Sequence, residues 1–264
     1  AISFPERPPL DGLLSGLGLT AQDFDQDAQG HYMVDAKSSF FHPAVVARYS
    51  QLMKEFVRAR ANEPWQQAFT LSSPISTFGE CHYSPSSTGN YAVFSRPAQK
   101  NFQDWMKKTY HGDLMAASKA WGVHPFHAWE EILPPSKGPL AGREGIDTRQ
   151  CWSDFMHWYN DWFEQVHRQM LDGVRPETSR PIAVPLGGAM MGAWQGLVLG
   201  HAGPVCKMLS QHQPSYLDAT DAQGLFSVKY GQSACAQYGL SEGLITENVG
   251  DPDMILFHQY NIFT

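Results

Sequence analysis

Two glutamates stand at the ends of apolar, β-branched runs. Glu80 closes "LSSPISTFG" and is followed by His82 and Tyr83 in a Ser/Pro/Gly loop; Glu247 closes "GLIT" and is followed by Asn248. A charged side chain is almost never buried unless paired. A carboxylate at the end of a buried strand is therefore a liability unless it binds or reacts there. Two facing carboxylates suit the hydrolysis of a glycosidic bond. One is held protonated and donates to the leaving oxygen; the other stays ionised and attacks the anomeric carbon or activates water. Such a pair needs no cofactor. Each glutamate also has a plainer reading, Glu80 as half of a rim salt bridge and Glu247 as a charge at a helix N-terminus.

Other residues at or near strand ends could surround a substrate. Asp218 and Asp221 in "YLDATDA" fit hydroxyl ligands, or caps of the next helix. His82 and Tyr83 fit subsite residues or loop packing. His258 and Tyr260 lie in the last apolar run, "DMILFHQYNIF", where the alternative is core. Trp194 sits in the Gly-rich stretch "AMMGAWQGLVLGHAG", where nothing else demands a large ring, and an aromatic face suits the apolar face of a sugar. The expected catalytic pair is thus Glu80 and Glu247. The expected substrate contacts are His82, Tyr83, Trp194, Asp218, Asp221, Asn248, His258 and Tyr260.

These residues must be positioned by strands that alternate with helices. Residues 1–68 read as an irregular lead-in plus one helix, "HPAVVARYSQLMKEFVRARA", with Val45, Val46, Tyr49, Leu52, Met53, Phe56 and Val57 at helical spacing. Residues 69–79 read as a strand broken at Pro74. A helix starts at Ser95, with Pro97 in its first turn, and a shorter one covers "GDLMAASKAWG". The long aromatic helix "TRQCWSDFMHWYNDWFEQVHRQMLDGV" follows. Its face of Trp152, Phe155, Met156, Tyr159, Trp162, Phe163, Val166 and Met170 reads as core packing. Beyond it come a strand at "RPIAVPLGG", a short helix at "PVCKMLSQH", a strand at "PSYLDATDA", a helix at "LFSVKYGQSACAQYG", and strands at "GLITEN" and "DMILFHQYNIF". This alternation predicts an α/β fold with a parallel sheet, whose chemistry lies at the carboxyl ends of the strands.

The segment "FQDWMKKTYHGDLMAASKAWG" resembles one found in the β-galactosidases of glycoside hydrolase family 42, through Phe102, Trp105, Lys107, Tyr110, Gly112, Ala120, Trp121 and Gly122. The resemblance covers roughly residues 75–175. It implies a (β/α)8 TIM-barrel-type fold, with Glu80 as the acid/base ending the fourth strand and Glu247 as the nucleophile ending the seventh. It also implies a retaining hydrolase of β-galactoside-like bonds, active in carbohydrate metabolism or polysaccharide degradation. Two features depart from it. Gly79 stands where an Asn usually precedes the acid and bonds the 2-hydroxyl. "F-G-E" is also similar to the sequence around the acid of β-amylases, which invert. An inverting glycosidase and a non-catalytic carbohydrate-binding protein on the same barrel are the alternatives.

By the same pattern three strand–helix units would precede the strand of Glu80, yet five strands are legible from there onward. Either only the C-terminal five units lie in this chain, completed by a second chain, a further segment or a homo-oligomer, or residues 1–68 hold strands that patterning does not reveal. Within the chain, 1–264 reads as a single catalytic barrel domain.

Composition supports a buried core and excludes several classes. Of 264 residues, 42% are hydrophobic and 17% charged, which favours a folded chain. A net charge of −7 with scattered Lys and Arg argues against a nucleic-acid groove. No run approaches the ~18 apolar residues that suggest a membrane-spanning helix. No signal-peptide pattern is visible, and a start at Ala1 fits a mature form or a fragment; the cellular compartment stays open. Cys81, Cys151, Cys206 and Cys235 form no CxxC pair. His124, His127 and Glu131 lack the spacing of a helical zinc site, so no metal is expected.

Overall fold

The computed structural model describes residues 2–3, 14–30, 41–66, 69–70, 93–135, 149–180, 182–187 and 208–212. Among these are four strands, β1 (Ile2–Ser3), β2 (Phe69–Thr70), β3 (Ile182–Gly187) and β4 (Met208–His212), and four α-helices, α1 (Pro43–Arg60), α2 (Arg96–Thr109), α3 (Leu114–Trp121) and α4 (Arg149–Val174). The strands form one parallel sheet in the order β1-β2-β3-β4. Register is set by Ile2 opposite Phe69, Phe69 opposite Ile182, and Ala183 opposite Met208. Parallel neighbours require a crossover, which is consistent with α1 lying between β1 and β2 and α2 to α4 lying between β2 and β3 in the chain.

Two expectations are corrected here. The short helix expected over residues 204–212 is a strand in its described part: Met208–His212 pairs along its whole length with β3. A five-residue stretch carries too little periodicity to separate strand from helix, and its partner decides. The lead-in is not wholly irregular either, since Ile2–Ser3 pairs with β2. Among the described residues, one strand and one α-helix therefore precede β2. The strands expected beyond residue 212 lie outside the described residues.

The chain divides into two compact units, one formed by Ala1–Glu6, Tyr49–Tyr83 and Phe163–Thr264, the other by Arg7–Arg48 and Ser84–Trp162. In the first, Met53, Val57, Phe69, Val166, Met170, Val174 and Ile182 are buried, so the sheet and the ends of α1 and α4 carry apolar faces out of water. Arg58 grips Glu177 through two 2.8 Å bonds, one to each carboxylate oxygen, and Lys54 lies 3.6 Å from Oε1.

The second unit is centred on Trp158. Its ring lies 5.2 Å from Phe41 in a stacked pair and 4.9 Å from Phe102 edge-on, while its Nε1 donates to Asn101 Oδ1 at 2.7 Å. The buried face of α4 is rotated from the expected one. Phe155, Tyr159, Trp162, Val166 and Met170 are buried as expected, but Trp152 and Met156 are half-buried, and Cys151, Asp154 and Trp158 are buried instead.

The start of α2 follows from local chemistry. Ser95 Oγ accepts from Ala98 N at 3.4 Å, and proline stands in the first turn. Against this end lies an acidic segment with Asp23, Asp25 and Asp27 all buried. Asp25 accepts from Ser95 Oγ, and Asp23 accepts from Arg96 and from the Thr20 backbone and hydroxyl. Carboxylates are favoured at a helix N-terminus. Burial pushes the Asp23 carboxyl up, but the bonds from Thr20 and Arg96 outweigh it and hold the group below its usual range.

Candidate functional site

All ten expected site residues, Glu80, Glu247, His82, Tyr83, Trp194, Asp218, Asp221, Asn248, His258 and Tyr260, lie outside the described residues. What the fold supplies is the frame that precedes them. β2, β3 and β4 are parallel neighbours, so their carboxyl ends, at Thr70, Gly187 and His212, share one edge of the sheet. In the chain, Glu80, His82 and Tyr83 follow β2, Trp194 follows β3, and Asp218 and Asp221 follow β4.

The segment that carries the resemblance to family 42 is described in full, and its residues build scaffold. Phe102 is fully buried between Trp121 and Trp158. Trp105 Nε1 donates to Asp161 Oδ2 at 2.8 Å. Asp154, buried on α4, accepts on Oδ2 from Tyr110 Oη at 2.7 Å and Trp121 Nε1 at 2.8 Å, and on Oδ1 from Gln150 at 2.8 Å. The Tyr110 hydroxyl is held acidic only far above its usual range, first by burial and then by this bond to a carboxylate.

The glycines of the segment make its turns. Gly112 has φ +79° between α2 and α3, and Gly122 has φ +61° as the C-cap of α3. Both lie in the left-handed region that favours glycine. The matching residue types thus report a helix–turn–helix docked on α4.

The group His124, His127 and Glu131 is built as a turn. The His127 backbone N–H donates to Glu131 Oε2 at 2.9 Å, so that carboxylate closes the 3-10 turn it belongs to. Among the described residues no set of three such side chains converges as metal ligands. Cys151 is buried in the first turn of α4.

Sequence patterning missed one feature. The loop after α1 and the turn before β3 meet to form a groove of about 270 Å³, lined by Ala61, Asn62, Pro176, Glu177, Thr178, Ser179 and Arg180. Both segments lead into strands, toward Phe69 and Ile182, which are register partners. The groove therefore lies at the amino edge of β2 and β3, the edge away from the candidate carboxylates in chain order. No local signal marks it, because it exists only once the two strands pair.

No family model and no curated protein matches the chain. Its structure is similar to the catalytic domain of β-amylase from Paenibacillus polymyxa, at 16% identity over 96% of this chain and 68% of that one, with a TM-score of 0.73. It is also similar to a β-galactosidase from Marinomonas ef1, at 12% identity over 98% of this chain and 41% of that one, TM-score 0.69. A family 42 β-galactosidase from G. stearothermophilus matches at 17% identity over 88% of this chain and 33% of that one, TM-score 0.64. The chain spans about two thirds of the β-amylase domain and less than half of either β-galactosidase. At these identities the likeness is one of fold: the chain is glycosidase-like in architecture, similar to TIM-barrel glycoside hydrolases.

Proposed function

We propose that the chain is a (β/α)8-type glycoside hydrolase, with Glu80 as general acid/base and Glu247 as nucleophile, cleaving a β-galactoside-like bond with retention. The observation that carries this reading is the fold likeness to β-galactosidases and a β-amylase over most of the chain's length. The parallel sheet adds support, because chemistry in such folds gathers at the carboxyl ends of strands, and Glu80 follows β2 in the chain. His82, Tyr83, Trp194, Asp218, Asp221, Asn248, His258 and Tyr260 would contact the sugar. A homo-oligomer, a second chain or a further segment would complete the barrel.

A second reading has its own support. The β-amylase likeness has the highest TM-score of those described, 0.73, and Gly79-Glu80 is similar to the β-amylase acid motif. In that reading Glu247 activates water and configuration inverts. The two carboxyl groups would stand about 6.5–9.5 Å apart rather than about 5–5.5 Å.

The deciding experiment is turnover of a nitrophenyl β-galactoside and of soluble starch by the wild type, Glu80→Gln and Glu247→Gln. Each substitution should lower kcat by several orders of magnitude with the melting temperature unchanged. Sugar-dependent melting shifts without released reducing sugar in the wild type would instead identify a carbohydrate-binding protein. Undiminished turnover in both variants would remove the two glutamates from the mechanism.

A further inference from the structure

With Met208–His212 a strand, its last residue stands at the carboxyl edge of the sheet, the edge where chemistry gathers in parallel α/β folds. That residue is His212, and its register partner is Gly187, the last residue of β3. The pairing runs over five successive residues, from Ala183 opposite Met208 to Gly187 opposite His212, so the whole ladder fixes the level of His212.

Alternation along parallel strands sorts the paired residues into two rows. One row holds Phe69, Ile182, Val184, Leu186, Leu209 and Gln211; it is apolar up to its last member, and Phe69 and Ile182 are fully buried. In the other row β3 and β4 contribute Ala183, Pro185, Gly187, Met208, Ser210 and His212, most of them small or polar. An imidazole at the end of such a row is better suited to binding than to filling a core. Neighbouring strands lie about 4.8 Å apart, so β2 and β4 run about 10 Å apart on either side of β3. Between them β3 ends on Gly187, with Gly188 next in the chain. Glycine at such a position allows close approach of a ligand. Glu80 follows β2 in the chain, so this gap separates the strand that leads to the proposed acid from the strand that ends on His212.

We propose that His212 is a further substrate-binding residue of the carbohydrate site, hydrogen-bonding a hydroxyl of the sugar unit that occupies the gap at Gly187. A neutral imidazole carries one donor and one acceptor, so it serves a hydroxyl in either direction. Two strand spacings from β2 suit a hydroxyl ligand, and protonation of the leaving oxygen stays with Glu80. The inference rests on the carbohydrate reading of the fold, and it holds for a binding protein as it does for a hydrolase.

The test compares the full wild-type chain with His212→Ala, His212→Asn and, as a control at the other end of β4, Met208→Leu. Binding of galactose and of maltose is measured by calorimetry, with and without Glu80→Gln. Values of kcat and KM are measured with a nitrophenyl β-galactoside and with soluble starch. His212→Ala should bind the sugar roughly tenfold more weakly and raise KM by a similar factor, with kcat changed by less than about threefold. His212→Asn, which keeps a donor and an acceptor, should recover part of the loss, and Met208→Leu should match the wild type. Among analogues of the bound sugar that lack one hydroxyl each, one should bind equally well to wild type and to His212→Ala, a pattern that lost packing does not produce. Equal sugar binding by wild type and His212→Ala, no binding of either sugar by the wild type, or failure of both His212 variants to fold would overturn the proposal. Binding that depends on His212 in a wild type without turnover would support it while removing the hydrolase reading, whereas turnover indifferent to His212 would remove this residue alone.

Discussion

Tyr110 donates its hydroxyl proton to Asp154 Oδ2 across 2.7 Å, and so ties the turn after α2 to the first half of α4. Trp121, at the end of α3, donates to the same oxygen. One buried carboxylate thus anchors two helices on a third. Replacing Asp154 with Ala strips the acceptor from Tyr110, Trp121 and Gln150 together. The expected loss is about 3 kcal/mol of unfolding free energy, measured by urea denaturation. Asp154→Asn, which keeps one carbonyl oxygen, should lose less.

Trp158 is fully buried and makes ring contacts with Phe41, Phe102, Phe155 and Tyr159. Trp158→Ala should cost about 3–5 kcal/mol in the same assay. Trp152→Ala, on a half-buried ring that sequence patterning placed on the core face, should cost distinctly less. Equal losses at the two positions would contradict the rotation of α4 described above.

Gly112 isolates a backbone effect. A Cβ added there meets nothing within 4 Å, so Gly112→Ala creates no clash. Its φ of +79° alone penalises an L side chain. A destabilisation of about 1 kcal/mol is expected, and Gly112→Asn should recover part of it.

Glu177 predicts an acid limb in the stability profile. Hydrogen bonding to Arg58 is the main cause that holds its folded-state pKa at about 2, against an ordinary carboxylate value of 4.5. A depressed pKa means that the unfolded chain takes up the proton first as pH falls. The stabilisation is therefore complete above the ordinary value and is lost as pH drops from there toward about 2. Melting temperature followed from pH 5 downward should fall more steeply in the wild type than in Arg58→Met.

The stereochemical course separates the two catalytic readings. Proton NMR of the first sugar released from a β-galactoside should show the β-anomer for a retaining pair and the α-anomer for an inverting one.

Local signals in the sequence were legible and long-range ones were not. Ser95 and Pro97 mark the start of α2 because capping and ring geometry act within one turn. The apolar spacing of Val45, Val46, Tyr49, Met53 and Val57 marks α1 for the same reason. Met208–His212 was read as helix because what makes it a strand is its pairing with Ala183–Gly187. The two-residue β1 is too short to show a period. The candidate site divides in the same way. Glu80 and Glu247 could be named from strand-like runs ending on a charge, and both lie outside the described residues. The groove at Asn62 and Arg180 had no sequence mark, because its two walls come from separate loops.

The docking of α2 and α3 on Asp154 also has a kinetic consequence. The Ser95 cap, the turn at Gly112 and the Gly122 cap join residues close in sequence, whereas Phe69 meets Ile182 only after the chain between them has been brought back. Loops that close over short separations lose less entropy and form sooner. The helical pair should therefore consolidate ahead of the sheet, with φ-values near one at Gly112 and near zero at Phe69. A segment that resembles an enzyme family in its sequence would then be, in this chain, the place where folding begins.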